Sequence, residues 1–132
     1  MDEHRLTSVP LFASLSDQER RRIAQCADEV DLPEGYHLVR EGRFAYEVFV
    51  IEQGTAEVLR HGEKIADLGP GDVIGEMATM SDGTRNAEVV STSPMTLIVM
   101  TSREFRQVAK DMPAVGEHIQ RIIDERTQAL TK

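Results

Sequence analysis

The sequence predicts a mainly β domain with helical flanks: a jelly-roll-like β-roll, or double-stranded β-helix, of about eight strands. An N-terminal helix precedes the roll, a short helix interrupts it, and two C-terminal helices close it. Two observations carry this reading. Eight of the nine glycines fall between residues 35 and 83, separating short apolar or alternating stretches, and helix-start signals stand on either side of that region. Strands recurring every ~8–12 residues between turn signals mark antiparallel sandwiches and barrels.

Taken in order, Ser16-Asp17-Gln18-Glu19 is a capping-box pattern, followed by Ile23, Ala24 and Ala27 on one face of a helix. The strand candidates are residues 36–40, 47–52, 56–60, 64–68, 73–74, 87–91 and 95–100. Between them lie Pro33-Glu34-Gly35, Glu41-Gly42, Gln53-Gly54, His61-Gly62 and Gly69-Pro70-Gly71, where glycine takes the left-handed turn positions. Thr101-Ser102-Arg103-Glu104 is a second capping box, leading to Phe105, Val108 and Ala109. Pro113 opens the last helix as a first-turn proline, and Val115, Ile119, Ile122, Ile123 and Leu130 form its apolar stripe. No repeat or linker interrupts the chain. The expectation is one domain over 1–132, with an N-terminal helical segment at 1–28, the roll at 29–101 and the C-terminal helices at 102–132.

Composition narrows the function. With 15 basic and 23 acidic residues the formal charge is −8, which argues against this chain by itself gripping nucleic acid or anionic lipid. No apolar run is long enough to span a bilayer, no signal-peptide pattern is visible, and Cys26 is the single cysteine, so the expected compartment is the cytoplasm. His4, His37, His61 and His118 are scattered without ligand spacing, so no metal site is expected. No nucleophile has a base and an orienting group near it in a catalytic pattern, so no catalytic residue is assigned and the chain is not read as an enzyme. Cys26 reads as a small buried hydrophobe, and Met77 and Met80 as core residues.

One stretch carries chemistry. From Val73 to Ala87 a strand ends at Gly75, a short helix-forming run starts at Glu76, Asp82-Gly83 turns, and a strand restarts behind Arg85. A helix start behind a glycine offers free N–H groups and partial positive charge to an anion. Arg85, the only basic residue between Lys64 and Arg103, can close on that anion with two parallel N–H bonds. Glu76 suits a ligand that also presents a hydroxyl to be accepted, such as a ribose 2′-OH. The bland reading is a strand-to-helix turn whose glutamate complements the helix dipole, or a Glu76–Arg85 ion pair that pins a loop.

This stretch resembles the phosphate-binding cassette of the cyclic nucleotide-binding domain family, in which a Gly-Glu pair opens a short helix and an arginine follows nine or ten residues later. Gly75-Glu76 and Arg85 fit that spacing. The resemblance extends through Leu11-Phe12-Ala13-Ser14-Leu15-Ser16, Leu32-Pro33-Glu34-Gly35, Arg40-Glu41-Gly42, Val50-Ile51-Glu52-Gln53-Gly54 and Leu68-Gly69-Pro70-Gly71-Asp72, nearly the whole chain. It implies that Glu76 holds the ribose 2′-OH and Arg85 the exocyclic phosphate oxygens. The backbone amides of Glu76, Met77, Ala78, Asn86 and Ala87 would complete the cradle begun at Gly75. It also implies a hydrophobic lid from the last helix, for which Ile119, Ile122 and Ile123 are the available residues. The position after the arginine is usually small and here is Asn86, which leaves cAMP and cGMP both open; cAMP, the commoner family ligand, is the one expected.

The implied function is a free-standing, ligand-switched sensor, with the nucleotide as ligand and no other cofactor. A homodimer or an effector protein would engage its C-terminal helix. The alternatives are a ligand-free β-roll interaction module, or the regulatory fragment of a longer transcription regulator or effector. Residues 29–101 hold 5 basic and 13 acidic side chains, so the acidity is concentrated in the very body expected to bind an anion. Long-range attraction is then no help, since exposed charges are screened within about 10 Å.

Overall fold

The computed structural model describes residues 1–39, 47–75 and 87–130, with residues 122, 123 and 125–130 described by backbone alone. A 3-10 helix, Glu3–Ser8, and a four-residue helix α1, Pro10–Ala13, come first. Helix α2 runs Asp17–Cys26 and begins with the expected reciprocal box: Glu19 N–H donates to Ser16 Oγ (3.1 Å) and Ser16 N–H to Glu19 Oε1 (3.0 Å). The strands are β1 Asp28–Leu32, β2 His37–Val39, β3 Glu47–Gln53, β4 Ala56–Arg60, β5 Glu63–Leu68, β6 Val73–Ile74, β7 Glu88–Ser91 and β8 Met95–Thr101. Helices α3, Ser102–Asp111, and α4, Pro113–Leu130, close the chain.

The strands form two antiparallel four-stranded sheets, β1-β8-β3-β6 and β2-β7-β4-β5, as a β-roll requires. The first sheet is covered on both faces. Alternation on a strand sends neighbours to opposite sides, yet Val48, Phe49, Val50 and Ile51 are all buried. Val48 and Val50, paired with Met100 and Ile98, join the cluster under the helices. Phe49 and Ile51 join Ile74, Met95 and Leu97 in the cluster between the sheets. The order of layers is therefore helices, first sheet, second sheet. A run as apolar as Val48–Ile51 belongs on the middle layer, because only there do both faces of a strand escape water.

The helical layer is built from both ends of the chain. Leu6, Val9, Leu11, Phe12 and Leu15 share one cluster with Phe105, Val108, Met112, Val115 and Ile119. Arg22 pairs with Asp111 at 2.8 Å, bracing α2 against the end of α3. Arg20 donates to the carbonyls of Ala13 and Leu15, fixing the turn between α1 and α2.

The described residues of the roll form eight strands, but β1 is not among the sequence-predicted stretches. Its residues Asp28-Glu29-Val30-Asp31-Leu32 carry two apolar side chains among three acids, the composition of an edge strand whose pairing with β8 holds it in place. The 3-10 helix and α1 also go beyond the sequence reading, being too short to show a helical period.

Gly116, the one glycine outside the β region, sits where α4 passes closest to α3: a Cβ there would lie 2.6 Å from the Ala109 carbonyl oxygen. Gly→Ala in an unobstructed helix stabilises by up to about 1 kcal/mol. Here we expect the opposite sign. Gly116→Ala should cost about 1–3 kcal/mol by overpacking, read as a lower urea midpoint at unchanged slope, and a raised midpoint would refute the contact.

Candidate functional site

The described residues frame the segment singled out in the sequence from both sides. On one side, β6 is held at the edge of the first sheet by pairing Val73 with Val50 and Ile74 with Phe49. Its two side chains face opposite cores: Val73 lies under the helices and Ile74 between the sheets, both essentially unexposed. The strand therefore cannot rotate without exposing one of them. At Gly75 the backbone adopts φ +94°, in the left-handed region. An L side chain there costs roughly 1–2 kcal/mol, so glycine lets the chain leave the sheet sharply and without strain.

On the other side, Ala87 is half-buried and leads directly into β7, an inner strand of the second sheet lying between β2 and β4. Gly75 and Ala87 thus anchor the ends of segment 76–86 on different sheets. Glu76, Met77, Ala78, Arg85 and Asn86 lie outside the described residues, as does Met80. Of the seven cradle residues expected from sequence, the described geometry covers Gly75 and Ala87.

Strand β7 is fastened at both ends by contacts that sequence reading did not find. Near Ala87, the Glu88 carboxylate meets His37 Nδ1 across the β2–β7 pair. At the far end, buried Ser91 ties down the turn before β2: its Oγ donates to the Pro33 carbonyl (2.7 Å) and accepts from Tyr36 N–H (2.8 Å). The backbone repeats the link, Gly35 N–H donating to Ser91 O (2.8 Å) and Ser91 N–H to Tyr36 O (2.9 Å). A buried hydroxyl satisfied on both sides in this way holds the platform rigid.

The expected lid residues divide. Ile119 is 1% exposed and packs in the helical cluster with Phe105, Met112 and Val115. It serves as core on the outer side of the first sheet, away from the cluster between the sheets. The side chains of Ile122 and Ile123 lie outside the described residues. Cys26 is half-buried with Sγ 4.0 Å from Met100 Sδ; burial, then Glu104, push its thiol up to about 11, so it stays protonated and unreactive. Among the described residues no group of three His, Cys, Asp or Glu side chains could hold a metal ion, and no helix is long and apolar enough to cross a membrane.

Comparison with known proteins is decisive on family. The model of the cyclic nucleotide-binding domain matches residues 29–112, from β1 through the end of α3. The chain belongs to the cyclic nucleotide-binding domain family. A cAMP-dependent protein kinase regulatory subunit of Yarrowia lipolytica is 30% identical over 101 residues, covering 76% of this chain and 27% of that protein. Solved structures with this fold include cAMP-bound PfPKA-R, at a TM-score of 0.87 and 19% identity over 98% of this chain and 45% of that one. A putative cyclic nucleotide-binding protein from Geobacter metallireducens matches end to end, with a TM-score of 0.80, 19% identity, and 98% and 97% coverage. The chain spans about a quarter of the kinase regulatory subunits it resembles. Two antiparallel sheets with helices at either end are thus the cyclic nucleotide-binding β-roll.

Proposed function

We propose that this cyclic nucleotide-binding domain is a sensor that binds cAMP, or cGMP, through residues 75–78 and 85–87 and transmits binding through its C-terminal helix. The observation that carries the proposal is the framing of segment 76–86: a left-handed glycine at the edge of one sheet, and a doubly braced strand starting in the other. Fixing the two ends of a segment sets the span it must bridge, so part of the entropy of closing it is lost on folding and not on binding. The relatives named above, kinase regulatory subunits and a cAMP-bound structure, support the same ligand class.

In this reading, backbone N–H groups at the start of the cassette helix and the Arg85 guanidinium share the cyclic phosphate charge, the arginine by a bidentate pair. Glu76 accepts the ribose 2′-hydroxyl, the one ribose group that distinguishes the ligand from its deoxy counterpart. Affinity comes from these short-range bonds, because the roll around them is acidic. The ligand-dependent step is a population shift: α4 is seated by Val115 and Ile119, and a nucleotide that favours one position of the helix end moves the equilibrium by its difference in affinity for the two states. The output passes to a second copy or an effector protein that engages α4, and the compartment proposed for it is the cytoplasm. The same chemistry holds whether the domain acts alone or within a longer chain.

Parallel calorimetric titrations with cAMP and cGMP test this. Saturable binding of at least one, at micromolar concentration or below, is the expected result; absence of heat with both would leave a ligand-free interaction module as the reading. Arg85→Ala should weaken binding by about 1.5–3 kcal/mol, roughly 10- to 150-fold, and an unaltered affinity would show that the anion sits elsewhere. Glu76→Gln should cost cAMP more affinity than 2′-deoxy-cAMP; equal losses would remove the hydroxyl assignment.

A further inference from the structure

At one end of the first sheet, three acidic side chains share the face covered by the N-terminal segment. Register sets Glu29 opposite Ile98 and Asp31 opposite Thr96, and Ile98 belongs to the helix-facing cluster. The β3–β8 register shifts between Ile51 and Gln53, and at that irregularity Glu52 comes to lie beside Glu29, both within reach of one guanidinium nitrogen. The cation that meets them comes from the 3-10 helix: Arg5 Nη1 lies 3.3 Å from Glu29 Oε2 and 3.9 Å from Glu52 Oε2. The Glu52 side chain is only 7% exposed, and its Oε1 is buried with no hydrogen-bond partner among the described residues. The other acids nearby are already engaged, Asp31 by the Thr96 hydroxyl at 2.8 Å and Asp72 by the Gly69 amide at 2.8 Å.

One arginine therefore serves two adjacent carboxyls, with a third acid beside them. If Glu52 is neutral, the pair holds one negative charge for Arg5 to balance. If it ionises, a buried carboxylate oxygen is left with no donor and two acidic neighbours, an arrangement that water alone can relieve. Water reaches it when the 3-10 helix lifts.

We propose that Glu29 and Glu52 beneath Arg5 form a proton-controlled latch, which holds the Glu3–Ser8 helix on the first sheet while Glu52 carries a proton and releases it when Glu52 ionises. The titration range agrees with physiological use. Burial first, then the neighbouring Glu29 carboxyl, push Glu52 up to about 7; Asp31 adds to the rise and Arg5 opposes it. The folded pKa is above the ordinary carboxylate value, so the folded state has support that is complete below about 4.5 and is lost as pH climbs through 7, and the latch draws on the share of it that comes from burial beneath the helix. The latch reaches the C-terminal helix by packing alone. Leu6 on the same 3-10 helix, and Val9 just after it, lie in the cluster with Phe105, Val115 and Ile119, so lifting the helix loosens the seat of α4. The device acts with or without a nucleotide, and its test is independent of ligand binding.

Amide hydrogen exchange on the full chain at pH 6 and pH 8, expressed as protection factors to remove intrinsic base catalysis, reads the latch directly. The reporters are the amides of Arg5, Val9, Phe12 and Ala13, all bonded within the N-terminal segment, with Ile51 of β3 as the reference. Their protection should fall about tenfold from pH 6 to pH 8 while Ile51 stays constant, as expected for a single group titrating near 7. Glu52→Gln keeps the shape and cannot ionise, so its reporters should hold their pH 6 protection at both pH values. Equal protection at both pH values in the unaltered chain, or a pH response that survives in Glu52→Gln, would overturn the proposal. Should that variant not fold, a carboxyl-carbon NMR titration of the unaltered protein decides instead: a Glu52 midpoint near 7 sustains the latch, and one in the ordinary carboxylate range ends it.

Discussion

The rest of the molecule depends on the burial of one sheet from both sides. Strand β3 turns Val48 and Val50 toward the helices and Phe49 and Ile51 toward the second sheet. Each face alone would stabilise only a two-layer structure, and the two faces together force a third layer. At about 25 cal/mol per Å² of apolar surface removed from water, covering both sides of a central strand is the largest single gain open to so short a segment. Consequences follow outward from there. The second sheet must lie parallel to the first, the helices must come from whatever chain remains, and β6 must sit at the edge with its two residues split between the cores. The position of Gly75 is a product of that split.

Much of this was legible in the sequence, for local reasons. The box at Ser16 and Glu19, and the Thr101 cap that accepts from Glu104 N–H at 3.1 Å, satisfy helix-end donors within four residues, so their signal is contiguous. The glycine before Glu76 is legible for the same reason: one residue meets one backbone requirement. What stayed hidden is held by distant partners. Strand β1 is acidic and exists because β8 pairs with it across roughly seventy residues of chain. The bracing of β7 depends on Ser91 meeting Pro33 and Tyr36, and on Glu88 meeting His37, pairs that no local pattern connects. Within the candidate site the sequence could name a glycine, a glutamate and an arginine, but not the platform that positions the strand behind them.

Charge adds a second level of organisation. The acidic excess lies in the β body, and in most places it is solvated or neutralised by a near neighbour, as where Lys64 reaches Asp67 at 2.9 Å and Glu57 at 3.8 Å. Near the N-terminal segment it is not. There the same excess sets two carboxyls beneath one arginine, and in the proposed latch Glu52 takes up the imbalance as a bound proton. Composition thus acts through its placement: identical residues are inert on the outer strand β5 and sensitive where a helix covers them.

The sharing of one apolar cluster by Leu6, Phe12, Phe105, Val115 and Ile119 has a consequence for how the chain is made. During synthesis residues 1–15 emerge early, and the last partners of their cluster, on β8, α3 and α4, follow roughly eighty to a hundred residues later. The central sheet is in the same position, because β3 and β1 wait for β8. Structure of such high contact order forms late, so a nascent chain halted before β8, α3 and α4 leave the ribosome would display part of that cluster, Leu11 and Phe12 included, to solvent. Quality-control factors that read exposed apolar surface would meet this protein through its N-terminal segment, in the interval before its own C-terminal helices arrive to cover it.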